Sequence, residues 1–374
     1  MYITKPPMGW NTWNTFGGKI SESLICETVD AMVELGYKDA GYEYVIIDDC
    51  WSLRDRDENG RLVPNPEKFP HGMKYLADYI HSKGLKFGMY SCAGVRTCAN
   101  YPSSYGYEYI DAKTFAEWEV DYLKYDFCFF PASGDGKNAY LTMAQALRNC
   151  GRDIVFAACN WGTDDPAKWM RSHGAHTWRS TGDIQDNPES FIKIFNSQCE
   201  YMENTTAGCY NDMDMMIVGL KGKGNVALGG CTNDEYALHF AMWAFLGSPI
   251  ILGADIRSVD EECRKIMLNR ALIAINQDEE ARPPFRITTL WTNGYAFAKL
   301  LSNGEFAVGL FHLFEKDVKV HFSLDDLGVH SGEGKAVELV DVMTDEKYVS
   351  TERGFLFNVP HHGFKIMRGK IIDA

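Results

Sequence analysis

Short apolar runs alternate with amphipathic segments along most of the chain. The runs cover residues 8–13, 44–48, 86–90, 121–126, 154–159, 177–183, 208–214 and 249–255. In the segments between them apolar residues recur every three or four positions, at 21–35, 73–82, 112–118, 137–147, 190–196, 234–246 and 258–275. Alternation of strands and helices predicts a parallel sheet, and eight strands are the number that closes an α/β (β/α)8 barrel, the TIM barrel.

The pattern changes after Asp278, where apolar and polar residues begin to alternate one by one. This alternation covers residues 296–300, 306–310, 318–322 and 355–359. A period of two is typical of antiparallel strands, so we predict a C-terminal antiparallel β-sandwich. We place the boundary at Arg282-Pro283-Pro284, which gives a barrel over 1–281 and a β domain over 282–374. No linker rich in Pro or Ser separates them, so we expect firm packing.

The composition is that of a globular protein, with 45% hydrophobic and 24% charged residues. The formal net charge is −14, from 37 basic and 51 acidic side chains, so nucleic acid and anionic membranes are poor partners. The start at Met1 has no apolar secretion signal, and no later stretch is apolar enough to span a membrane. We therefore expect a cytoplasmic protein, and leave open whether it forms a homo-oligomer.

The predicted strands end in acidic residues to an unusual extent. The carboxylates at four of these ends are Asp48 and Asp49, Asp126, Asp183, and Asp212 and Asp214. The active site of such a barrel lies at the carboxyl ends of its strands, so these side chains would meet at one mouth. A single aspartate there is most often a helix N-cap, but a cluster needs cations or ligand hydroxyls to offset repulsion. Lys124 and Arg179 offer positive charge.

Two kinds of ligand could satisfy this acidic mouth, a divalent metal or a polyhydroxylated substrate. Metal is the weaker alternative, because His81, His173 and His176 fall in helical or loop segments rather than at strand ends. No glycine-rich nucleotide motif lies where a strand feeds a helix. Carboxylates beside aromatic rings are what cleavage of a glycosidic bond requires. The rings at strand ends are Trp10, Trp13, Trp51, Tyr90 and Trp161. We expect a carbohydrate-cleaving enzyme without metal or cofactor.

At these positions the sequence resembles glycoside hydrolase family 27, the α-galactosidases and α-N-acetylgalactosaminidases. The resembling stretches run in family order over residues 7–14, 48–51, 86–91, 121–126, 178–184 and 211–215, and end at Asn276-Gln277-Asp278. The clearest are Asp48-Asp49-Cys50-Trp51 and Asp121-Tyr122-Leu123-Lys124-Tyr125-Asp126. The resemblance covers essentially the whole chain, and it implies a barrel followed by a β domain.

The resemblance implies a retaining hydrolase in which Asp126 is the nucleophile and Asp183 is the acid/base. Lys124 lies two residues before Asp126 on the same face of a strand, where its charge favours the ionised nucleophile. The substrate-binding residues that the resemblance implies are Trp10, Asp48, Asp49, Tyr90, Cys98, Lys124, Asn160, Arg179, Asp214 and Met215. Trp10 would face the apolar side of the sugar.

Departures from the family pattern affect the expected site. Asn160 stands where the family usually has a glutamate that holds the sugar 2-hydroxyl, which puts recognition at C2 in question. Cys98 and Cys128 match a family disulfide beside the sugar, and the sequence leaves the bonded and reduced states open. A second family disulfide would join Cys50 to a cysteine near position 18. Gly17-Gly18 stands there, so that bond cannot form.

The leading hypothesis is a retaining, exo-acting α-galactosidase. It would release terminal α-linked D-galactose from oligosaccharides or glycosides through a covalent glycosyl-enzyme intermediate. The same machinery could instead accept an α-N-acetylgalactosaminide or a β-L-arabinopyranoside. A non-catalytic carbohydrate-binding relative is the alternative from another class, and the presence of both Asp126 and Asp183 argues against it.

Overall fold

The computed structural model describes residues 3–287, 294–313, 318–330 and 333–374. Its larger sheet consists of eight parallel strands that coincide with the eight apolar runs. They are β1 (Met8–Asn11), β2 (Tyr44–Ile46), β3 (Lys86–Cys92), β4 (Tyr122–Asp126), β5 (Val155–Ala158), β6 (Thr177–Arg179), β7 (Tyr210–Asp212) and β8 (Ile250–Leu252). The prediction of a (β/α)8 fold is confirmed.

The strands follow one another around the sheet in chain order, from β7 back to β1 and then β8. Neighbours are parallel, and in β1 Trp10 lies opposite Val45 of β2. Just beyond β7, a parallel bridge between Met216 and Leu252 joins the sheet to β8, where the N–H of Met216 donates to the Ile251 carbonyl at 2.7 Å. The carboxyl ends of the strands therefore open on one face.

Helices cover the outside of this sheet. They are α1 (Trp13–Phe16), α2 (Glu22–Glu34), α3 (Tyr37–Ala40), α4 (Gly72–Ser82), α5 (Glu108–Glu117), α6 (Gly136–Arg148), α7 (Pro188–Gln198), α8 (Asn233–Leu246), α9 (Glu261–Met267) and α10 (Arg270–Asn276). Side chains cap several of them, as Ser21 does for α2 and Asn187 for α7. No helix in the described ranges is both long and apolar enough to cross a membrane.

Two helices differ from their predicted extents. The single helix predicted over 258–275 is two helices, α9 and α10, because Asn269 interrupts it and caps α10 by accepting the N–H of Leu272 at 3.0 Å. The helix predicted over 112–118 begins earlier, at Glu108, where acidic residues of its first turn favour a helix start. Both differences concern boundaries and leave the order of elements unchanged.

The C-terminal part is antiparallel. Its strands are β9 (Phe285–Arg286), β10 (Tyr295–Leu300), β11 (Phe306–Phe311), β12 (Val318–Phe322), β13 (Lys335–Asp341), β14 (Lys347–Ser350), β15 (Phe355–Val359) and β16 (Phe364–Asp373). Six of them form one sheet, and β12 pairs with β15 in a second. Val308 and Leu339 of the first sheet share a core with Val320 and Phe357 of the second. The predicted sandwich is confirmed.

The β domain packs directly on the barrel through aromatic side chains. Phe195 of α7 and Phe245 of α8 contact Phe311 of β11, with ring centroids 5.4 and 5.8 Å apart. Phe297 of β10 completes this cluster. The two parts therefore share one hydrophobic core, as expected from the missing linker. The domain limits 1–281 and 282–374 stay a prediction.

Candidate active site

The carboxyl ends of the barrel strands surround a cavity of about 210 Å³. This equals the volume of about seven water molecules in the liquid, which is room for one pyranose ring. The predicted site residues that line it are Asp48, Asp49, Tyr90, Cys98, Lys124, Asp126, Arg179, Asp183, Asp214 and Met215. Residues far apart in sequence thus meet at one mouth, because each follows or ends a barrel strand.

Asp126 is the last residue of β4 and is almost entirely buried, with 5% of its surface exposed. Its Oδ1 accepts the backbone N–H of Phe127 at 2.9 Å. Burial raises the pKa of Asp126 to about 6, although the charge of Lys124 lowers it. The expected effect of Lys124 is present, but the loss of hydration is stronger. Asp126 is therefore a poorly hydrated carboxylate near neutral pH, as suits a nucleophile.

A charged network fixes the mouth between β2 and β4. Oδ2 of Asp48 accepts hydrogen bonds from Lys124 Nζ and from Asn11 Nδ2, both at 2.8 Å. Oδ2 of Asp49 accepts the N–H of Ala99 at 2.8 Å, and burial raises the pKa of Asp49. Both carboxylates are held before any ligand binds. Sugar hydroxyls could donate to them with little further loss of side-chain entropy.

Arg179, the last residue of β6, joins two further carboxylates. It pairs with Asp214 and, at 3.0 Å, with Asp183. Burial raises the pKa of Asp214 even though Arg179 lowers it, and Oδ2 of Asp214 also accepts the N–H of Ile184 at 2.7 Å. Asp183 in contrast exposes 70% of its side chain. One cavity thus combines a buried aspartate, Asp126, with an exposed one, which is the difference that two separate acid–base roles need.

A disulfide between Cys98 and Cys128 borders Asp126. The Tyr90 hydroxyl donates to Cys98 Sγ at 3.3 Å, and this sulfur lies 3.5 Å from Oδ2 of Asp126. The bonded state that the sequence left open is the one found. Cys50 carries a free thiol, as expected from the glycine at position 18. Disulfides are typical of oxidising compartments, so the cytoplasmic location stays a prediction.

Two groups among the described residues bring potential metal ligands together. One contains the disulfide cysteines with Asp126, and bonded sulfurs cannot act as thiolate ligands. The other contains Asp78, His81 and Glu119, none of which lines the cavity. Within the cavity Lys124 and Arg179 offset part of the negative charge of the five aspartates. The expectation that the reaction needs no metal or cofactor stays a prediction.

Two predicted site residues do not line the cavity. Trp10 lies inside β1 with no exposed surface, and its indole N–H donates to the Ala254 carbonyl at 2.8 Å. The expectation that Trp10 faces the sugar is therefore wrong, because its ring belongs to the barrel core. Asn160 follows β5 and is also buried, and its amide donates to the Thr163 carbonyl at 2.6 Å. Asn160 is not among the residues that line the cavity, although its neighbours Cys159 and Trp161 are.

Residues outside the predicted set complete the wall. They are Trp13, Asn14, Cys159, Trp161, Ile184, Gln185, Asn225 and Val226. Trp13 and Trp161 follow strand ends closely, and the sequence had already named both among the aromatic rings at strand ends, although the family resemblance did not assign them to the sugar. Asn225 comes from the long connection after β7, where no motif marks it. Among the residues that line the cavity, Asn14 Nδ2 and Arg179 Nε are buried without a hydrogen-bond partner, which ligand hydroxyls could supply.

The fold is a parallel barrel, and its mouth holds a buried and an exposed aspartate in a cavity with room for one sugar ring. This is the architecture of a glycoside hydrolase. The sequence profile of the family described as Alpha galactosidase A matches residues 5–278. The chain belongs to this family, glycoside hydrolase family 27, and is a glycoside hydrolase.

Individual relatives agree with this assignment. The α-galactosidase of Cyamopsis tetragonoloba is 43% identical over 87% of this chain and 77% of its own length. Alpha-galactosidase A of Cellvibrio japonicus is 38% identical over 97% of this chain and 91% of its own. The crystal structure of α-galactosidase I from Mortierella vinacea superposes with a TM-score of 0.90 at 33% identity, covering 100% of this chain and 98% of that one. The likeness therefore extends over both the barrel and the β domain.

Proposed function

We propose that this protein is a retaining, exo-acting α-galactosidase that releases terminal α-linked D-galactose from oligosaccharides or glycosides. The observation that carries the proposal is that Asp126 and Asp183 line one cavity with room for a single ring. A cavity of that size admits the end of a sugar chain rather than an internal unit. The named activities of the relatives support galactose as that end unit.

Two displacements at the anomeric carbon account for hydrolysis. In the first, the Asp126 carboxylate forms an ester with this carbon while the glycosidic bond breaks and Asp183 protonates the departing oxygen. In the second, Asp183 takes a proton from water, and the water oxygen displaces Asp126 from the sugar. Galactose leaves with its original configuration, and both carboxyl groups return to their starting states.

The different surroundings of the two aspartates support this division of roles. Asp126 has little hydration to lose when it attacks, since its burial has already removed most of it. Asp183 is exposed enough to meet both the leaving group and the incoming water. Arg179, 3.0 Å from Asp183, offsets the negative charge that remains after proton transfer.

The position of Asn160 favours galactose over its 2-acetamido derivative. The sequence suggested that the Asn160 amide could donate to an acetamido carbonyl. In the structure that amide donates to Thr163, and Asn160 is not on the cavity wall. One of the two N–H groups of this amide is therefore committed elsewhere, and the side chain does not line the cavity. This supports α-galactoside as the substrate class.

Hydrolysis of three p-nitrophenyl glycosides tests the proposal. The α-galactoside should be cleaved with a larger kcat/KM than the α-N-acetylgalactosaminide or the β-L-arabinopyranoside. Asp126→Asn, which keeps the shape of the side chain, should abolish turnover of all three and controls for contaminating activity. A larger kcat/KM for either alternative sugar would overturn the assignment to galactose.

A further inference from the structure

A buried carboxylate that the proposed reaction does not use lies three residues after Asp183. Asp186 has no exposed surface, although it belongs to the irregular loop between β6 and α7 that also carries Asp183. We propose that Asp186 is a positioning residue, which holds the Asp183 carboxyl where it can protonate the departing oxygen. The inference rests on the proposed function. It adds the group that places the acid.

Both oxygens of the Asp186 carboxylate bind groups outside their own loop. Oδ1 accepts the Tyr236 hydroxyl of α8 at 2.8 Å, and Oδ2 accepts the N–H of Gly222 at 2.7 Å. The Tyr236 hydroxyl in turn accepts the N–H of Lys221 at 2.7 Å. A buried carboxylate tolerates little displacement, because movement would leave its charge and these donors without partners. Asp186 therefore fixes its loop against α8 and against the connection between β7 and α8.

The backbone of Asp186 extends the same junction. Its N–H donates to the Val226 carbonyl at 3.1 Å, and its carbonyl accepts the N–H of Gly230 at 2.7 Å. Gly230 also approaches Gly222 closely, since a Cβ on Gly230 would lie 2.7 Å from the Gly222 nitrogen. The connection that Asp186 binds in this way carries Asn225 and Val226 to the cavity wall. The junction therefore joins two segments of that wall, and one of them carries the acid.

The position of Asp183 depends on how this loop is held. Most of its side chain is exposed, and Arg179 contacts it at 3.0 Å. The backbone beyond it is anchored at Ile184, whose N–H donates to an aspartate of the cavity, and then at Asp186. A general acid must lie within hydrogen-bond distance of the oxygen that it protonates, so a loop shift of about 1 Å would weaken proton transfer. Asp126 lies on β4, and such a shift would leave it in place.

The test compares two substrates that differ in how much the leaving group needs a proton. p-Nitrophenolate is a stable anion that departs with little help from an acid, whereas methanol leaves methyl α-galactoside only when its oxygen is protonated. In Asp186→Asn the shape is kept, but the amide NH2 faces a donor, so the junction loses a hydrogen bond. We expect kcat/KM for methyl α-galactoside to fall about tenfold more than kcat/KM for p-nitrophenyl α-galactoside.

Two further variants separate positioning from stability. Tyr236→Phe keeps the ring and the Asp186 carboxylate but removes one donor, so it should change the ratio of the two kcat/KM values in the same direction, and it provides the measurement if Asp186→Asn does not fold. Asp111→Asn is the matched control. Asp111 is another fully buried aspartate, which pairs with Arg56 at 2.6 Å and does not line the cavity. It should leave the ratio unchanged even where thermal unfolding shows a similar loss of stability.

The outcomes separate this proposal from the proposed function. Asp183→Ala should change the ratio more than Asp186→Asn does. If Asp183→Ala leaves the ratio unchanged, or wild type cleaves neither substrate, the proposed function is wrong and the inference falls with it. If Asp183→Ala changes the ratio but Asp186→Asn and Tyr236→Phe do not, Asp186 does not position the acid. An equal fall for both substrates would assign Asp186 to support of the sugar-binding wall through Val226, and that would also overturn the proposal.

Discussion

At the scale of single residues, Asp126 shows how catalysis and stability oppose each other. The side chain is buried among groups that do not fully replace its hydration, so its pKa rises to about 6. A raised pKa means that the folded protein binds the proton more tightly than the unfolded chain does. Asp126 therefore favours folding below the pKa of a free aspartate, and this contribution is lost as pH rises through about 6.

Replacement of Asp126 should stabilise the protein at neutral pH. In Asp126→Asn the charge is absent while the acceptor for the Phe127 N–H is kept, so we expect a free energy of unfolding about 2–3 kcal/mol above that of wild type at pH 7.5. Most of the difference should disappear at pH 4, where wild-type Asp126 is itself neutral. Urea unfolding followed by Trp fluorescence at both pH values measures it. A variant that is less stable than wild type at pH 7.5 would show that burial does not penalise the charge of Asp126.

The sequence located the site residues that follow strand ends but not the direction of every side chain. Asp48, Asp126 and Arg179 were predictable because a strand end in a barrel defines its position in space. Trp10 was not, since consecutive residues of a strand point to opposite sides and the pattern did not determine which side Trp10 takes. Asn225 could not be found at all, because only the folded path of the connection after β7 brings it to the cavity.

At the scale of elements, the loops after β1 and β2 approach each other without a covalent bond. A Cβ at Gly18 would lie 3.4 Å from the Cβ of Cys50 and 3.2 Å from its sulfur. These distances are close to those of a natural disulfide, in which the Cβ atoms are about 3.5–4.5 Å apart. The backbone is thus already placed for the second family disulfide, and only the cysteine is missing.

Introducing this cysteine should therefore form a bond. We expect Gly18→Cys to bridge to Cys50 and to raise the free energy of unfolding by roughly 3 kcal/mol, since the bond closes a loop of about 30 residues. Denaturant unfolding with and without a reducing agent measures the gain, and loss of one free thiol confirms the bridge. Gly18→Ser fills similar space without bonding and should show no dependence on the reducing agent. A stable Gly18→Cys protein with both thiols free would refute the geometry.

The order and type of the elements could be predicted, and their exact limits could not. Eight apolar runs separated by amphipathic segments determine the barrel, since periodicity reports which face of each element is buried. The break between α9 and α10 escaped prediction because Asn269 interrupts the helix with a cap while the apolar periodicity continues across it. Capping depends on one side chain and one N–H, which hydrophobic spacing does not reveal.

At the scale of the whole molecule, the contact between barrel and β domain contains a buried cation. Lys299 of β10 is 1% exposed, and its Nζ donates to the Ile275 carbonyl in α10 at 3.1 Å. Burial lowers the pKa of Lys299 to about 8, although Asp278 raises it. Between this pKa and that of a free lysine, the unfolded chain binds more protons than the folded one. The contribution of Lys299 to stability therefore increases as pH rises through this range.

Removal of this charge should change how stability depends on pH. Relative to Lys299→Met, wild type should gain about 3 kcal/mol in its free energy of unfolding between pH 7.5 and 10.5. Other titrating groups are common to both proteins and cancel in the difference. Lys365→Met serves as the control, because Lys365 lies in the same domain but keeps an ion pair with Asp341 at 2.7 Å. Equal pH dependence of wild type and Lys299→Met would show that Lys299 is not buried at the domain contact.

The proposed reaction requires that Asp126 forms the covalent bond to galactose. Peptide mass spectrometry after inactivation with 5-fluoro-α-D-galactosyl fluoride tests it most directly, because the fluorinated ester forms faster than water removes it. We expect one added fluorogalactosyl group on the peptide that contains Asp126, and none on the peptide that contains Asp183. Labelling of Asp183, or turnover of the reagent without any labelled peptide, would contradict the assignment of Asp126 as the nucleophile.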